Sequence, residues 1–391
     1  MIISFDVDNY LSFAQPAHVD LAVGAQAPDN YHFLPHGNDR TAKIVGLFGP
    51  NASGKSNLLR ALPALADFIT ESFGYKLDEN LPFRPHFFSD EREVTINIEF
   101  MLPDDPRPYR YSLRATQRRV LSESLRVKTS KFFSRVFERT LQDGVYRVLG
   151  LGEKFQANLR DNVSWLAWLA QYNVPDAVSI IQYFKRLQSN LQPRGPRVPI
   201  LFSSMDAVDF YRSRPDFTTR MVNQLNRWDI DIHDVIFERM EAGGVEEGFS
   251  SPWMAFCVHK KGDKSARLPI FSESSGTLGL FCLLSIVLPV LESGGVAVID
   301  ELESDLHPHM VEALLNLFVM PESNPKNAQL IFTSHADWLM NLLHKTQIIL
   351  VEKNESGSEA VRLSDIRGIE ARENFSARYR AGAYGAVPEI N

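Results

Sequence analysis

The run Ile44–Leu59, IVGLFGPNASGKSNLL, decides how the rest of the chain is read. Its middle satisfies G-x-x-x-x-G-K-[ST] in full, with Gly49, Gly54, Lys55 and Ser56 at the fixed places. An apolar strand enters the turn, and NLLRALPALADFI leaves it with helical spacing. In that context backbone N–H groups face a β-phosphate, and Lys55 reaches the β/γ oxygens. The Ser56 hydroxyl meets Mg²⁺, and the helix N-terminus adds partial positive charge. An ordinary glycine turn needs neither the lysine nor the flanking strand and helix.

At 391 residues the chain has room for two domains, or for one large α/β domain carrying an insertion. Lys+Arg is 41 against Asp+Glu at 48, so the net charge of −7 argues against a dedicated nucleic-acid binder, although a local basic groove remains open. The cysteines Cys257 and Cys282 lie among apolar neighbours and read as reduced core thiols of a cytoplasmic protein. The opening MIISFDVDNYLSF alternates like a strand and lacks a secretory n-region. The apolar run Leu278–Leu291 is too short to span a bilayer and reads as a buried helix.

In chain order, IISFDV and NYLSFAQPAHVDL read as strands, Pro28–Arg40 as a polar loop, and KIVGLF as a central strand buried on both faces. EVTINIEFML, RPYRYSLRAT and VLSESLRVK alternate with period two and predict an antiparallel sheet. Leu159, Val163, Leu166, Leu169 and Ala170 take helical spacing, and VSIIQYFKRLQSNL continues it before the loop QPRGPRVP. DFTTRMVNQLNRWDIDIHDVIF predicts a helix entering a strand near Ile236. GVAVID, AQLIFTS and QIILVEK are short apolar strands with helical stretches between them, which implies one sheet assembled from both ends of the chain. The expected organisation is an N-terminal lobe over 1–153, a compact helical insertion over 154–235, and a C-terminal lobe over 236–391.

Three further stretches carry chemistry. VAVIDE delivers Asp300 and Glu301 at a strand's C-terminal end, where open α/β sheets collect ligands. Asp300 suits a carboxylate that supports Mg²⁺, and Glu301 one that orients or deprotonates water; the alternative is the start of a solvated turn. AQLIFTSHAD places His335 at a second strand end, as a γ-phosphate sensor or as a structural histidine. FSESSGTLGLF opens an apolar helix with small hydroxyl residues, as an anion site or as a plain N-cap.

Taken in order, GPNASGKS, ESSGT, VAVIDELESDLHP and IFTSHAD resemble the ABC-type ATPases of the SMC/RecF group. The chain looks closest to the short AAA-15-type ATP-binding proteins of bacterial phage-defence and abortive-infection loci. DNYLSF, YRYSL, LSESL, WLAWLAQYN and YRAGAYGAVPEI extend the likeness over nearly the whole chain. The resemblance implies a two-lobed α/β head, with a mixed sheet core and an antiparallel β subdomain, that dimerises head-to-tail around two ATP molecules. It implies that Gly49, Asn51, Gly54, Lys55, Ser56 and Asn57 cradle the phosphates, that Ser56 and Asp300 serve Mg²⁺, and that Glu301 and His335 are the catalytic carboxylate and switch histidine. Ser275 and Gly276 then contact the nucleotide of the opposite subunit, and Ser304 and Asp305 form a loop crossing the interface. ESSGT departs from the transporter-type LSGGQ, which disfavours a transporter subunit. The Mg²⁺-sensing glutamine of many such heads is not assigned: Gln117 lies between the lobes, but its context, ATQRRV, is unlike the family's, and that role stays open.

The leading expectation is therefore an ATP-gated switch that forms a homodimer or higher oligomer and controls a separate effector, a nuclease or toxin, in antiphage defence, without membrane involvement. About forty residues follow QIILVEK, too few for an added catalytic domain. The alternative is a RecF-like DNA clamp, for which 126–139 and 260–267 are the basic stretches, although a solvated helix face is the preferred reading of the first. A small-substrate P-loop kinase leaves VAVIDELES and LHP without a role.

Overall fold

A strand buried on both faces carries apolar residues at every position, and successive side chains point to opposite sides. Ile44–Phe48, Val296–Ile299 and Gln329–Ser334 are buried throughout. The computed structural model describes residues 1–23, 28, 30–36, 39–155, 159–197, 200–239, 253–370 and 373–387. Its central sheet has the order Leu187–Ser189, Val296–Ile299, Gln329–Ser334, Ile44–Phe48, Ile348–Asn354, Gly357–Arg362, and only the last pair is antiparallel. The strand from the N-terminal third thus sits between two from the C-terminal third, as one sheet built from both ends requires.

Alternation along these strands separates two cores. Val45, Leu47, Val298, Ile331 and Ile349 point into one, with the helix Lys55–Glu71. Ile44, Phe48, Ile299, Phe332 and Leu350 point into the other, with the helices Ser275–Ser293 and Pro308–Val319. The helix Ser275–Ser293 is apolar and long enough to cross a membrane by composition, yet eleven of its residues are buried in this core. Cys257 and Cys282 are buried free thiols, and burial pushes each up to about 12, so neither is reactive at neutral pH.

The first core is closed by a seven-stranded antiparallel sheet that contains the three predicted strands and the opening one. Residues 126–139 lie in two of its strands, Val120–Lys128 and Phe133–Gln142, and the turn between them, which corrects the helix-face reading. Period two holds at Arg126 and Val127, exposed and buried in turn, while a register shift between Arg135 and Phe137 leaves Arg135 exposed two residues from buried Phe137; both arginines lie next to Glu138. Gln329, fully buried, ties the two sheets by accepting from Ile2 N–H at 2.6 Å and donating to the carbonyls of Ile2 and Ala42 at 3.0 Å.

One buried network joins three stretches that carry the family likeness. Glu123, of LSESL, accepts from Tyr111 Oη of YRYSL at 2.9 Å, from Ser164 Oγ at 2.7 Å and from Trp165 N–H, at the head of WLAWLAQ, at 2.8 Å. Arg139 lies 3.4 Å from it and donates to the carbonyls of Val163 and Arg160, and both charged side chains are fully buried. Removing one member leaves the other charge buried and unpaired. Glu123→Ala is expected to lower unfolding free energy by about 3–5 kcal/mol, measured as a lower denaturant midpoint at unchanged slope; a midpoint shift near zero would show the network to be incidental.

Two expectations are altered. Pro28–Arg40 contains the strand Phe33–His36 and the start of Asp39–Ala42, paired antiparallel, because Phe33 and Leu34 are buried. The stretch 154–235 is distributed over both cores instead of forming a compact insertion. Trp165–Gln171 and Pro175–Phe184 pack in the first core, Leu187–Ser189 enters the central sheet, and Ile200–Ser213 and Pro215–Arg227 pack in the second. Leu159 and Val163 precede the first of these helices, whose N-cap is Ser164. Of QPRGPRVP, the last two residues lie outside the described residues, as do the final residues of YRAGAYGAVPEI.

Candidate functional site

The phosphate loop depends on positive backbone angles that glycine tolerates best: φ is 153° at Gly49 and 111° at Gly54, with Ala52 at 60°. A Cβ on Gly49 would stand 2.0 Å from the Val351 carbonyl, and one on Gly54 would stand 2.4 Å from Ser358 Oγ and 2.8 Å from Ser12 Oγ. The opening DNYLSF turn is therefore part of the loop's wall, and Asn57 Nδ2 donates to Ser12 Oγ at 3.0 Å. Asn51 is exposed at the rim, and Ser56 is half-buried in the first turn of the helix. Lys55 is 4% exposed and donates to the carbonyls of Gly49 and Pro50 at 2.8 and 2.9 Å. Burial draws its ammonium down to about 8, against the opposing pull of Asp300, Glu303 and Glu301.

Ile299, Ser334 and Phe48 end three adjacent parallel strands, so the residues that follow them, Asp300, His335 and Gly49, meet at one edge. Asp300 is 4% exposed and its Oδ1 accepts from Thr333 Oγ1 at 2.7 Å. The same hydroxyl accepts from Glu301 N–H at 2.8 Å. Glu301 takes φ 51°, which turns the chain sharply off the strand. Its Oε2 pairs with Arg197 Nη1 at 2.9 Å, and its Oε1 lies 3.9 Å from His335 Nε2. His335 Nδ1 lies 3.3 Å from Lys55 Nζ, and its N–H donates to Glu303 Oε1 at 2.6 Å. Lys55, Asp300, Glu301 and His335, nominated from separate stretches, thus form one cluster. The closing segment braces it: Arg380 pairs with Asp337, two residues beyond His335.

Ser275 and Gly276 do not join this hydrogen-bonded cluster. They begin the helix of the second core, while the phosphate-loop helix packs in the first. Ser274 is the N-cap, accepting from Thr277 N–H at 3.1 Å, so the plain-cap reading of this stretch describes Ser274. Ser275 remains exposed beside it. A Cβ on Gly276 would be 3.1 Å from the Asp305 carbonyl, and Asp305 is itself exposed at φ 62°. Ser304 donates its N–H to the Glu301 carbonyl at 3.0 Å, which ties this turn to the acidic strand end. Among the described residues, no hydrogen bond or ion pair joins Ser274–Gly276 to Gly49–Asn57.

Three participants were not nominated from the sequence. Thr333 clamps Asp300 to Glu301. Asn190 exchanges two hydrogen bonds with the Asp300 backbone, at 2.8 and 2.9 Å. Arg197 holds Glu301. The only local signal for the last two was their position in a Pro/Gly loop after a short strand. Gln117 lies in the turn between strands Asp105–Ala115 and Val120–Lys128, where its carbonyl accepts from Leu81 N–H.

The residues present suit a Mg²⁺–triphosphate group. Among the described residues, Ser53 Oγ and Ser358 Oγ are buried beside the loop without a hydrogen-bond partner, and the loop is a cradle that a side chain on either glycine would fill. Among the described residues no cluster of three His, Cys, Asp or Glu is present. Beyond Ser12 and Asn57 a cavity of about 440 Å³ opens, lined also by Arg84, Phe87, Phe88 and Lys353.

A family model described as "AAA domain, putative AbiEii toxin, Type IV TA system" matches residues 44–341. No curated protein matches the sequence. Among solved structures, the chain is similar to an SMC head bound to the C-winged helix domain of ScpA, at 14% identity over 92% of this chain and 96% of that one, TM-score 0.49. It is similar to the SMC head domain from Thermotoga maritima, at 13% identity over 92% and 98%, TM-score 0.44. A third is an Smc head domain with an extended coiled coil bound to the C-terminal domain of ScpA derived from Pyrococcus furiosus, at 13% identity over 92% and 95%, TM-score 0.42.

Proposed function

The chain belongs to the AAA-domain family whose model spans residues 44–341, and on that premise we propose that it is an ATP-hydrolysing switch whose active site is shared between two subunits. The observation that carries the proposal is the division of the site residues. Lys55, Asp300, Glu301 and His335 cluster at one sheet edge, whereas exposed Ser275 lies with Gly276 and Asp305 at the head of a helix in the other core.

In this reading the loop N–H groups and Lys55 bind the β/γ oxygens, and Ser56 and Asp300 would hold Mg²⁺, which would offset phosphate charge. Glu301 accepts a proton from, or orients, the attacking water, and His335 contacts the γ-phosphate. Ser275 and Gly276 of a second copy complete the site, and Ser304–Asp305 cross between copies. Phe87 and Phe88, each 85% exposed at the neighbouring cavity, offer faces on which a nucleobase stacks. Closure and opening of the pair then control a separate effector, a nuclease or toxin, in antiphage defence. The toxin–antitoxin setting in the family description supports this placement. The DNA clamp is not favoured: Arg126 and Arg135 of the first basic stretch lie against Glu138, and Arg267 of the second pairs with Glu238.

Lys55 supplies a direct test of triphosphate binding. Its pKa of about 8 means that the free protein loses this charge as pH rises through 8. Phosphate oxygens favour the charged form, so binding takes up a proton above that pH, and affinity falls by at most about tenfold per pH unit. Calorimetry at about pH 8.5, in two buffers of different ionisation enthalpy, is expected to show proton uptake that vanishes in Lys55→Arg, whose side chain stays charged. Equal uptake in both proteins would remove Lys55 from the phosphate site.

A further inference from the structure

Glu301 is fixed at more points than a turn residue needs. Its N–H donates to Thr333 Oγ1 at 2.8 Å and its carbonyl accepts from Ser304 N–H at 3.0 Å. One carboxylate oxygen, Oε2, is taken by Arg197 at 2.9 Å, which leaves Oε1 facing His335 at 3.9 Å, longer than a direct hydrogen bond. Glu301 is 43% and Arg197 29% exposed, and a pair so open to water contributes little to stability.

The loop that presents Arg197 is itself held firmly. Asn190 anchors its start to the Asp300 backbone, and Leu191 forms a bridge with Arg197 across its neck. Gln192 N–H donates to the Pro196 carbonyl and Gly195 N–H to the Gln192 carbonyl. Pro193 and Pro196 fix two φ angles within it. Arg194 pairs with Glu79 at 2.6 Å and lies 4.4 Å from the Tyr75 ring, which pins the loop to the first core's side. A guanidinium delivered by so constrained a loop occupies a set position.

We propose that Arg197 is a positioning residue for hydrolysis: it grips one oxygen of Glu301 and thereby aims the other at the water that attacks the γ-phosphate. The proposal rests on the reading of Glu301 as the hydrolytic carboxylate. In this role Arg197 acts through Glu301, the carboxylate it pairs with. A glutamate free to rotate presents its oxygen in the productive direction only part of the time, and misplacement by about 1 Å costs on the order of 10²-fold in rate.

Steady-state ATPase kinetics and nucleotide binding on the full chain, under conditions of saturating self-association, test this. Arg197→Ala and Arg197→Gln are each expected to lower kcat by on the order of 10²-fold, with KM and ATP affinity within about twofold of wild type. Arg197→Lys, which keeps one charged donor, is expected to recover part of the loss. In a Glu301→Gln background, Arg197→Ala is expected to cause no further loss, because the two act as one unit. Thermal melting of each variant identifies any that fails to fold, and Arg197→Gln then stands in for Arg197→Ala. If Glu301→Gln abolishes turnover while the Arg197 variants keep kcat or raise it, the positioning role fails alone. A loss carried by KM overturns it in favour of phosphate contact. If Glu301→Gln itself turns over normally, the reading beneath it fails first.

Discussion

Glu301→Gln is expected to bind ATP with near wild-type affinity while turnover falls by roughly 10²- to 10⁴-fold, the range contributed by a positioned proton acceptor. Glutamine matches the carboxylate in shape and can still accept from Arg197, so the hold at 2.9 Å and the backbone contacts to Thr333 and Ser304 survive. What disappears is the charge and the capacity to take a proton. Because Lys55 and the loop are untouched, nucleotide is retained: labelled ATP should remain with the protein through rapid desalting, unhydrolysed. Normal turnover in this variant would move the role to Glu303, whose carboxylate lies beside the same histidine.

The second large effect comes from mixing two inactive proteins. Lys55→Ala removes the cation from its own loop and leaves Ser275 intact. Ser275→Arg blocks the face offered to a partner and leaves the loop intact. Each alone should lose on the order of 10²-fold or more in rate, the scale of a lost transition-state donor. A mixed pair contains one loop with Lys55 facing one native Ser275, so mixing should restore activity that neither protein has alone. Ser275 is exposed in the first turn of its helix, so arginine there is expected to leave the fold intact. Wild-type turnover per chain should likewise rise with protein concentration. Full activity of Ser275→Arg alone, or a mixture as inert as its parts, would show that each subunit hydrolyses ATP by itself.

Much of the site was legible because its chemistry is carried by short contiguous stretches. Continuous apolar runs identify strands buried on both faces, and the residue that follows such a run must emerge at the sheet's edge. That rule alone placed Gly49, Asp300 and His335 at strand ends, where the structure finds them together. Alternation placed the antiparallel strands for the same local reason. At 126–139 the run of cations imitates the exposed side of a helix, although it is spread over two strands and the turn between them.

The tertiary structure alone decided what depends on residues far apart in the chain. Leu187–Ser189 is a strand only because Val296–Ile299 lies beside it; three partly exposed residues have no period of their own. Once that strand is in the sheet, Asn190 meets the Asp300 backbone and the loop beyond it carries Arg197 to Glu301, each more than a hundred residues away in sequence. The sequence by itself determined the phosphate loop, the paired carboxylates and the α/β class, since these follow from neighbours within one or two turns of chain. It could not determine how Glu301 is aimed, because a hydrogen bond closed across the fold leaves no pattern in the residues on either side of it.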